Sequence, residues 1–379
     1  MRHSQRLAGL IRDEIERQGG RITFARYMEL ALYAPELGYY SAGLNKFGVA
    51  GDFVTAPEIS PLFARCAARQ CRQVLQALGG GDILEFGAGS GVMAADLLVE
   101  LEALNSLPRH YFILEISAEL RERQRATLTQ RIPHLSGRVI WLDELPKQKL
   151  RGVVFANEVL DAMPVHRFRL DAERVAELYV ACVDDAFAWR AGPVSDPALA
   201  KRIAEIRAAS PDLKPGYISE INLAAPAWVQ TVAAAIESGM LLLIDYGYPR
   251  HELYHTERAR GVLLCHYRHH AHGDPFLYPG LQDITAHVDF TALAEAGHAA
   301  GLQVAGYTTQ ANFLLGCGLT DLAAAVPAHE TRQRIQLAEQ IKRLTLPGEM
   351  GETFKALALT RDFSKPLLGF KLRDLRDRL

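Results

Sequence analysis

The sequence predicts an α/β fold on a mostly parallel sheet with helices on both faces. Three observations carry that prediction. From Asp82 onward, short apolar runs alternate with segments of helical period. A glycine loop, Glu85-Phe-Gly87-Ala-Gly89-Ser-Gly91, joins one such run to the helix after it. Glu115, Asn157 and Asp245 stand where three of the runs end, the edge at which an open parallel sheet binds ligands.

Residues 1–80 read as mainly helical, with Leu7, Leu10, Ile11 and Ile15 on one face of the first helix. Further helices are predicted over 23–32 and 60–78, the latter with Pro61 at a favoured first position after Ser60. Residues 33–57, rich in Gly, Pro and aromatics, read as a structured loop. The alternation then predicts a strand at 82–86, a helix at 92–104, a strand at 111–115, and a helix to Arg131 with Ser117 as N-cap. Strands follow at 139–142, 153–156 and 240–246, the last preceded by a helix near 225–237. A helix at 290–300 and strands at 303–308 and 353–361 could finish the sheet.

Two segments interrupt the pattern. Residues 165–223 contain predicted strands at 174–182 and 187–190 and a helix at 197–208. Residues 248–285 are rich in Gly, Pro, His and Tyr and show little periodicity. Loops of this length inside a domain are functional or disordered, and the aromatic content favours a folded one.

Composition bounds the function classes. In 379 residues, 49% are hydrophobic and 23% charged, which supports a real core and excludes disordered and fibrous classes. A formal net charge of -2 argues against bulk binding to nucleic acid or anionic membranes. Five cysteines without a CxxC pair read as reduced thiols. Residues 1–20 lack the apolar stretch of a secretory signal, and their acids disfavour a transit peptide. The longest strongly apolar run, 240–244, is too short to span a bilayer. A cytoplasmic, bacterial-like protein with no membrane span is the expectation.

The glycine loop admits two readings. The dinucleotide pattern G-x-G-x-x-G/A fails at Val92 when begun at Gly87. Begun at Gly89, it fits Gly91 and Ala94 but starts two residues late. An acid followed by G-x-G-x-G, the loop of S-adenosylmethionine (SAM) methyltransferases, fits Glu85, Gly87, Gly89 and Gly91 together. SAM carries an ammonium and a sulfonium and no phosphate, so an adjacent acid suits it and would repel a pyrophosphate. Glu115 can accept both ribose hydroxyls of either cofactor, or act as a helix-entry charge near Ser117. In Asn157-Glu-Val-Leu-Asp161-Ala-Met-Pro164, Asn157 and Glu158 point to the same crevice. Helix capping by Asn157 or Asp161 is the plainer alternative.

Taken together, several segments resemble the MidA family of class I SAM-dependent methyltransferases. They are Gly51-Asp-Phe-Val-Thr-Ala-Pro-Glu58-Ile-Ser60, the loop 85–91, Ile113-Leu-Glu-Ile-Ser117, Asn157 to Pro164, Ile244-Asp-Tyr-Gly247 and Gln282-Asp-Ile-Thr285. The resemblance covers about residues 20–361. It implies a Rossmann-like, seven-stranded, mostly parallel sheet with a helical N-terminal cap and substrate-side insertions. On this layout residues 1–80 form the cap and 81–361 the core, with insertions at about 165–223 and 248–285, and 362–379 form a tail. It further implies SAM as cofactor, held by Glu85, Gly87, Gly89, Gly91, Glu115 and Asn157. For the family's mitochondrial member it implies symmetric dimethylation of an arginine in a complex I subunit.

An arginine acceptor arrives charged, with a side-chain pKa above ~12. Carboxylates can hold its guanidinium bidentately and take a proton as attack proceeds. Glu158 and Asp161, with Asn157 beside them, are the catalytic candidates. Asp52, Glu58, Asp245, Tyr246 and His266 are candidates on the substrate side, with capping around Ser60 the alternative for Asp52 and Glu58. Cys265-His-Tyr-Arg-His-His-Ala-His272 matches no zinc spacing, so no metal is expected. Lys365 to Arg378 mixes both charges and reads as a solvated tail. The rival functions are methylation of a small molecule or another side chain, an NAD-dependent oxidoreductase, and a non-catalytic SAM-binding assembly chaperone. Oligomeric state is left open.

Overall fold

The computed structural model describes residues 2–41, 55–172, 174–268, 270–327 and 329–379. The chain divides into two units, each discontinuous in sequence.

The larger comprises Val54–Val159, Trp228–Gly247 and Ala292–Leu379. Its strands, in chain order, are β1 (Asp82–Phe86), β2 (Tyr111–Leu114), β3 (Val139–Leu142), β4 (Leu150–Asn157), β5 (Ile236–Tyr248), β6 (Gln303–Thr309) and β7 (Phe354–Arg361). They lie in the order β6-β7-β5-β4-β1-β2-β3. Neighbours are parallel from β5 through to β3, and β7 alone runs against both of its neighbours. The strand order reverses between β1 and β4, which makes their C-terminal ends the natural ligand crevice. Central β5 explains its own sequence: Met240 to Ile244 are all fully buried, so the run is continuously apolar rather than alternating.

Three helices set the crevice. Pro61–Leu78 starts where Ser60 Oγ accepts from Leu62 N at 3.3 Å and ends at Gly79 in the left-handed region. Val92–Ala103 follows the glycine loop, and Ala118–Arg131 starts where Ser117 Oγ accepts from Leu120 N at 3.4 Å.

Two expectations are altered by this unit. The helix Pro61–Leu78 joins the sheet's core rather than an N-terminal cap: Phe63, Cys66, Ala67, Cys71 and Val74 are fully buried in the same cluster as Val153 and Met240. The C-terminal segment is not a solvated tail. Phe363, Leu367 and Phe370 are buried in that cluster. Gln70 and Gln73 side chains accept Gly369 N and Leu368 N, each at 2.9 Å. The spacing of those three apolar residues was hidden among basic neighbours.

The smaller unit comprises Met1–Phe53, Leu160–Ala227 and Tyr248–Thr291. One sheet runs Ile22–Thr23, Val175–Val183, His166–Leu170, Ile218–Ile221, with Ala186–Gly192 also paired to Val175–Val183. A second runs His270–His272, Leu263–Tyr267, Asp283–Ala286. Leu7, Ile11 and Ile15 of helix Arg2–Arg17 are buried beside Phe24 and Tyr27. Tyr27 meets Phe187 and Phe276 edge-on, with centroids 5.6 and 5.3 Å away. Strands His166–Leu170 and Ile218–Ile221 escaped the sequence reading because charged residues alternate with Phe168 and Leu170 in the first. Arg167 of that strand reaches buried Glu220 at 3.0 Å. Among the described residues, no helix is long and apolar enough to cross a membrane.

Candidate functional site

β1 delivers the chain into the glycine loop. Gly87, Gly89 and Gly91 have φ of 62°, 53° and 83°, the region L-residues avoid. Gly87 N donates to Leu114 O at 3.1 Å, tying the loop to the end of β2. A Cβ on Gly87 would stand 3.1 Å from Val159 Cγ2, and one on Gly91 3.1 Å from Gln124 Cα. Conformation therefore demands glycine at both positions, and at Gly91 the close neighbour is backbone as well.

Two acids lie beneath and beside this loop. Glu85 is buried and accepts the Tyr111 hydroxyl at 2.7 Å. Burial pushes its carboxyl up to about 7 against that bond, with Glu115 adding to the rise. Glu115 accepts from Ser117 N at 2.9 Å and from Gln124 Nε2 at 3.1 Å. Burial still raises it, because the hydrogen bonds oppose desolvation only in part. Gln124 is fully buried; its Nε2 also donates to Gly89 O at 3.1 Å, and its Oε1 accepts from Trp141 Nε1 at 2.9 Å. The sequence reading missed this residue. Gln124 occupies an ordinary interior position of a polar helix, and only a glutamine on the face shared with Leu120 and Leu128 hinted at a buried polar role.

The end of β4 carries the other candidates. Glu158 has φ of 53°, unusual for a side chain of its size. It is over-determined from β5: Glu158 N donates to Ile244 O at 3.0 Å and Val159 N to Asp245 Oδ2 at 3.2 Å. Asp245, buried, also accepts Tyr246 N at 2.9 Å. Glu158 Oε1 accepts from Asn157 Nδ2 at 3.1 Å and from Ala56 N at 3.4 Å. Asn157 Oδ1 is buried and has no hydrogen-bond partner among the described residues. The Glu58 carboxylate accepts the hydroxyl of Ser90, and Tyr246 packs edge-on against Phe354 with centroids 5.3 Å apart.

The larger unit thus brings Glu85, Gly87, Gly89, Gly91, Glu115, Asn157, Glu158, Glu58, Asp245 and Tyr246 to strand ends and the segments packed on them. Asp161 and His266 belong to the smaller unit. Asp161 is buried there, and its backbone oxygen accepts Ala286 N at 2.9 Å. His266 sits half-buried in Leu263–Tyr267, in register with Ala271 and Asp283. Asp52 lies outside the described residues. Among the described residues, no group of three or more His, Cys, Asp or Glu side chains could hold a metal ion.

Comparison with known proteins gives one answer. The family model described as "Putative S-adenosyl-L-methionine-dependent methyltransferase" matches residues 66–308. A cattle (Bos taurus) protein named protein arginine methyltransferase NDUFAF7, mitochondrial, is 30% identical over 376 residues, covering 90% of this chain and 80% of that one. The human protein of the same name is 29% identical with the same coverage. A crystal structure of a COG1565 superfamily member from Burkholderia thailandensis, bound to S-adenosyl-homocysteine, matches at 47% identity and TM-score 0.95, covering 100% of this chain and 97% of that one. The relatives correct one expectation. The cattle and human proteins are named mitochondrial, which overturns the cytoplasmic placement read from the start of the sequence.

Proposed function

We propose a protein arginine as the methyl acceptor, on the premise that this chain belongs to the MidA family of class I SAM-dependent methyltransferases. The fold is the Rossmann-like α/β fold of such enzymes, the protein is a SAM-dependent methyltransferase, and SAM is its methyl donor. Bound SAM supplies an electrophilic methyl on a sulfonium.

The residues fit that donor. The helix start after the loop faces the Glu58 carboxylate through Ser90, an arrangement hostile to a pyrophosphate and tolerant of a cationic ligand. Asn157 Oδ1, buried and with no hydrogen-bond partner among the described residues, is an acceptor that suits a donor on such a ligand. In our assignment, Gly87, Gly89 and Gly91 give the backbone close approach, Glu115 takes the ribose hydroxyls, and Asn157 and Glu85 complete the cofactor side.

On the acceptor side we assign Glu158 to the guanidinium, and Asp161 is kept as a separate acceptor-side assignment. A planar charged group needs carboxylates to orient it, and the attacking nitrogen must lose a proton as its bond to carbon forms. The observation that carries this reading is Glu158, an acid held in a strained backbone conformation beside the glycine loop. Strain at a non-glycine residue persists only where surrounding bonds over-determine it, and such sites cluster at active centres. Asp245 supports it from β5. Tyr246 and His266 remain acceptor-side assignments, with Asp52.

The acceptor we favour is an arginine in a subunit of a respiratory complex. The proteins named arginine methyltransferases align over nine-tenths of this chain, which supports the residue type. Calorimetric titration with SAM, S-adenosyl-homocysteine and NAD tests the cofactor, and binding of NAD alone would sink it. Mass spectrometry of respiratory-complex preparations, with and without this protein, tests the acceptor. Equal arginine methylation in both would refute it.

A further inference from the structure

Glu58 closes a capping-box sequence that the structure leaves unused. Thr55-Ala-Pro-Glu58 has the spacing at which a threonine and a glutamate satisfy each other's backbone N–H at a helix start. Thr55 is the N-cap of Ala56–Ile59, yet its side chain makes no capping bond. The Glu58 carboxylate reaches away instead, to the hydroxyl of Ser90 in the glycine loop, 32 residues distant in sequence. A local capping role, the plain reading of this motif, is not the one adopted.

Ser90 is suited to relay that contact. Its Oγ accepts from Val92 N at 3.4 Å while donating to Glu58; a hydroxyl has one donor and two lone pairs for such a pairing. Val92 opens the helix Val92–Ala103, whose N-cap Gly91 has no side chain to offer. The first N–H and the positive end of that helix are thus served through Ser90 by a carboxylate. Glu58 is itself anchored. Ala56 N donates to Glu158 Oε1 at 3.4 Å, and Ser60 Oγ donates to Gln340 Oε1 at 2.7 Å. One short segment therefore touches the glycine loop at one residue and the strained acid of β4 at another.

We propose that Glu58 is a positioning residue of the cofactor loop, holding Ser90 so that Gly89 and Gly91 keep the conformation that receives SAM. The proposal rests on the SAM assignment made above. It moves Glu58 from the acceptor side to the cofactor side. A merely structural bond would change stability and leave cofactor affinity alone.

The test is calorimetric titration of S-adenosyl-homocysteine into wild type, Ser90→Ala, Glu58→Ala, Ser90→Thr and the Ser90→Ala/Glu58→Ala double variant, with thermal melting of each ligand-free protein alongside. Loss of a charge-assisted hydrogen bond is expected to weaken binding by about tenfold in each single removal. The double variant should lose about the same tenfold rather than about a hundredfold, because both changes delete one bond. Ser90→Thr, which keeps the hydroxyl, should restore most of the affinity. Wild-type affinity in Glu58→Ala, with or without a lowered melting temperature, overturns the proposal, as does full additivity. If wild type itself fails to bind S-adenosyl-homocysteine, the methyl-donor reading falls instead.

Discussion

Gln124 Nε2 lies 3.1 Å from Glu115 Oε2, and both side chains are buried. The pair decides how β2 meets the glycine loop, since the same amide nitrogen also donates to Gly89 O. Replacing Gln124 by leucine keeps the volume and removes every one of these bonds. It leaves a buried carboxylate and the Trp141 indole N–H short of partners, so a loss of about 3 kcal/mol in unfolding free energy is expected. Affinity for S-adenosyl-homocysteine should fall by about tenfold. Chemical denaturation and calorimetry measure the two; unchanged affinity in a folded variant would leave Gln124 with a purely structural role.

Gly91→Ala tests the loop from the other side. At φ 83° an added Cβ is strained, and it would meet Gln124 Cα at 3.1 Å, a backbone atom that cannot swing aside. A destabilisation of about 1–2 kcal/mol is expected from the backbone conformation, together with loss of detectable cofactor binding. Gly137→Ala is the control, because a Cβ there meets nothing within 4 Å. Equal behaviour of the two variants in the titration would dissociate the loop from the ligand.

The contrast between Gly91 and Gln124 shows what sequence could reveal. Glycines at a strand-to-helix junction advertise a backbone demand, so the loop and the strands around it could be read directly. The continuous apolar run of β5 could be read for the same reason, since full burial on both faces leaves no other composition. Gln124 and Ser90 act through long-range pairing, and nothing local marks a glutamine or serine that will find its partner across the fold. The tail was misread because mean polarity hid Phe363, Leu367 and Phe370, whose burial depends on a helix some 300 residues earlier, as the 2.9 Å bond from Gly369 N to Gln70 shows. Glu58 was found but read toward the acceptor, because a motif gives the residue and not the direction in which its side chain points.

Glu85 should make stability depend on pH in a defined window. Its carboxyl is pushed up from an ordinary 4.5 to about 7 by burial. The folded state therefore holds the proton more tightly than the unfolded chain. Its contribution is fully present below pH ~4.5 and is lost as pH rises toward ~7, where it levels off. The span corresponds to about 3 kcal/mol. Glu85→Gln keeps an acceptor for the Tyr111 hydroxyl and removes the titration. Denaturant midpoints from pH 4 to 8 should fall more steeply for wild type than for the variant; parallel profiles would mean that Glu85 ionises in the fold without penalty.

Glu158 separates strain from chemistry. Its φ of 53° costs energy for any side chain with a Cβ. Glycine adopts that conformation freely, though it also gains entropy in the unfolded state. With the carboxylate lost in both, Glu158→Gly should be more stable than Glu158→Ala by about 1 kcal/mol. Both variants should transfer methyl groups poorly, and so should Glu158→Gln, which keeps the shape and an acceptor oxygen for Ala56 N while removing the charge. A fall of at least about a hundredfold in turnover is expected for Glu158→Gln if the carboxylate orients a cation and takes its proton. Affinity for S-adenosyl-homocysteine should fall by only about two- to threefold, since Asn157 and the loop remain. Wild-type turnover in Glu158→Gln would return this acid to a structural role. A glycine variant less stable than the alanine variant would show that the β5 contacts, rather than the acid's work, determine the backbone here.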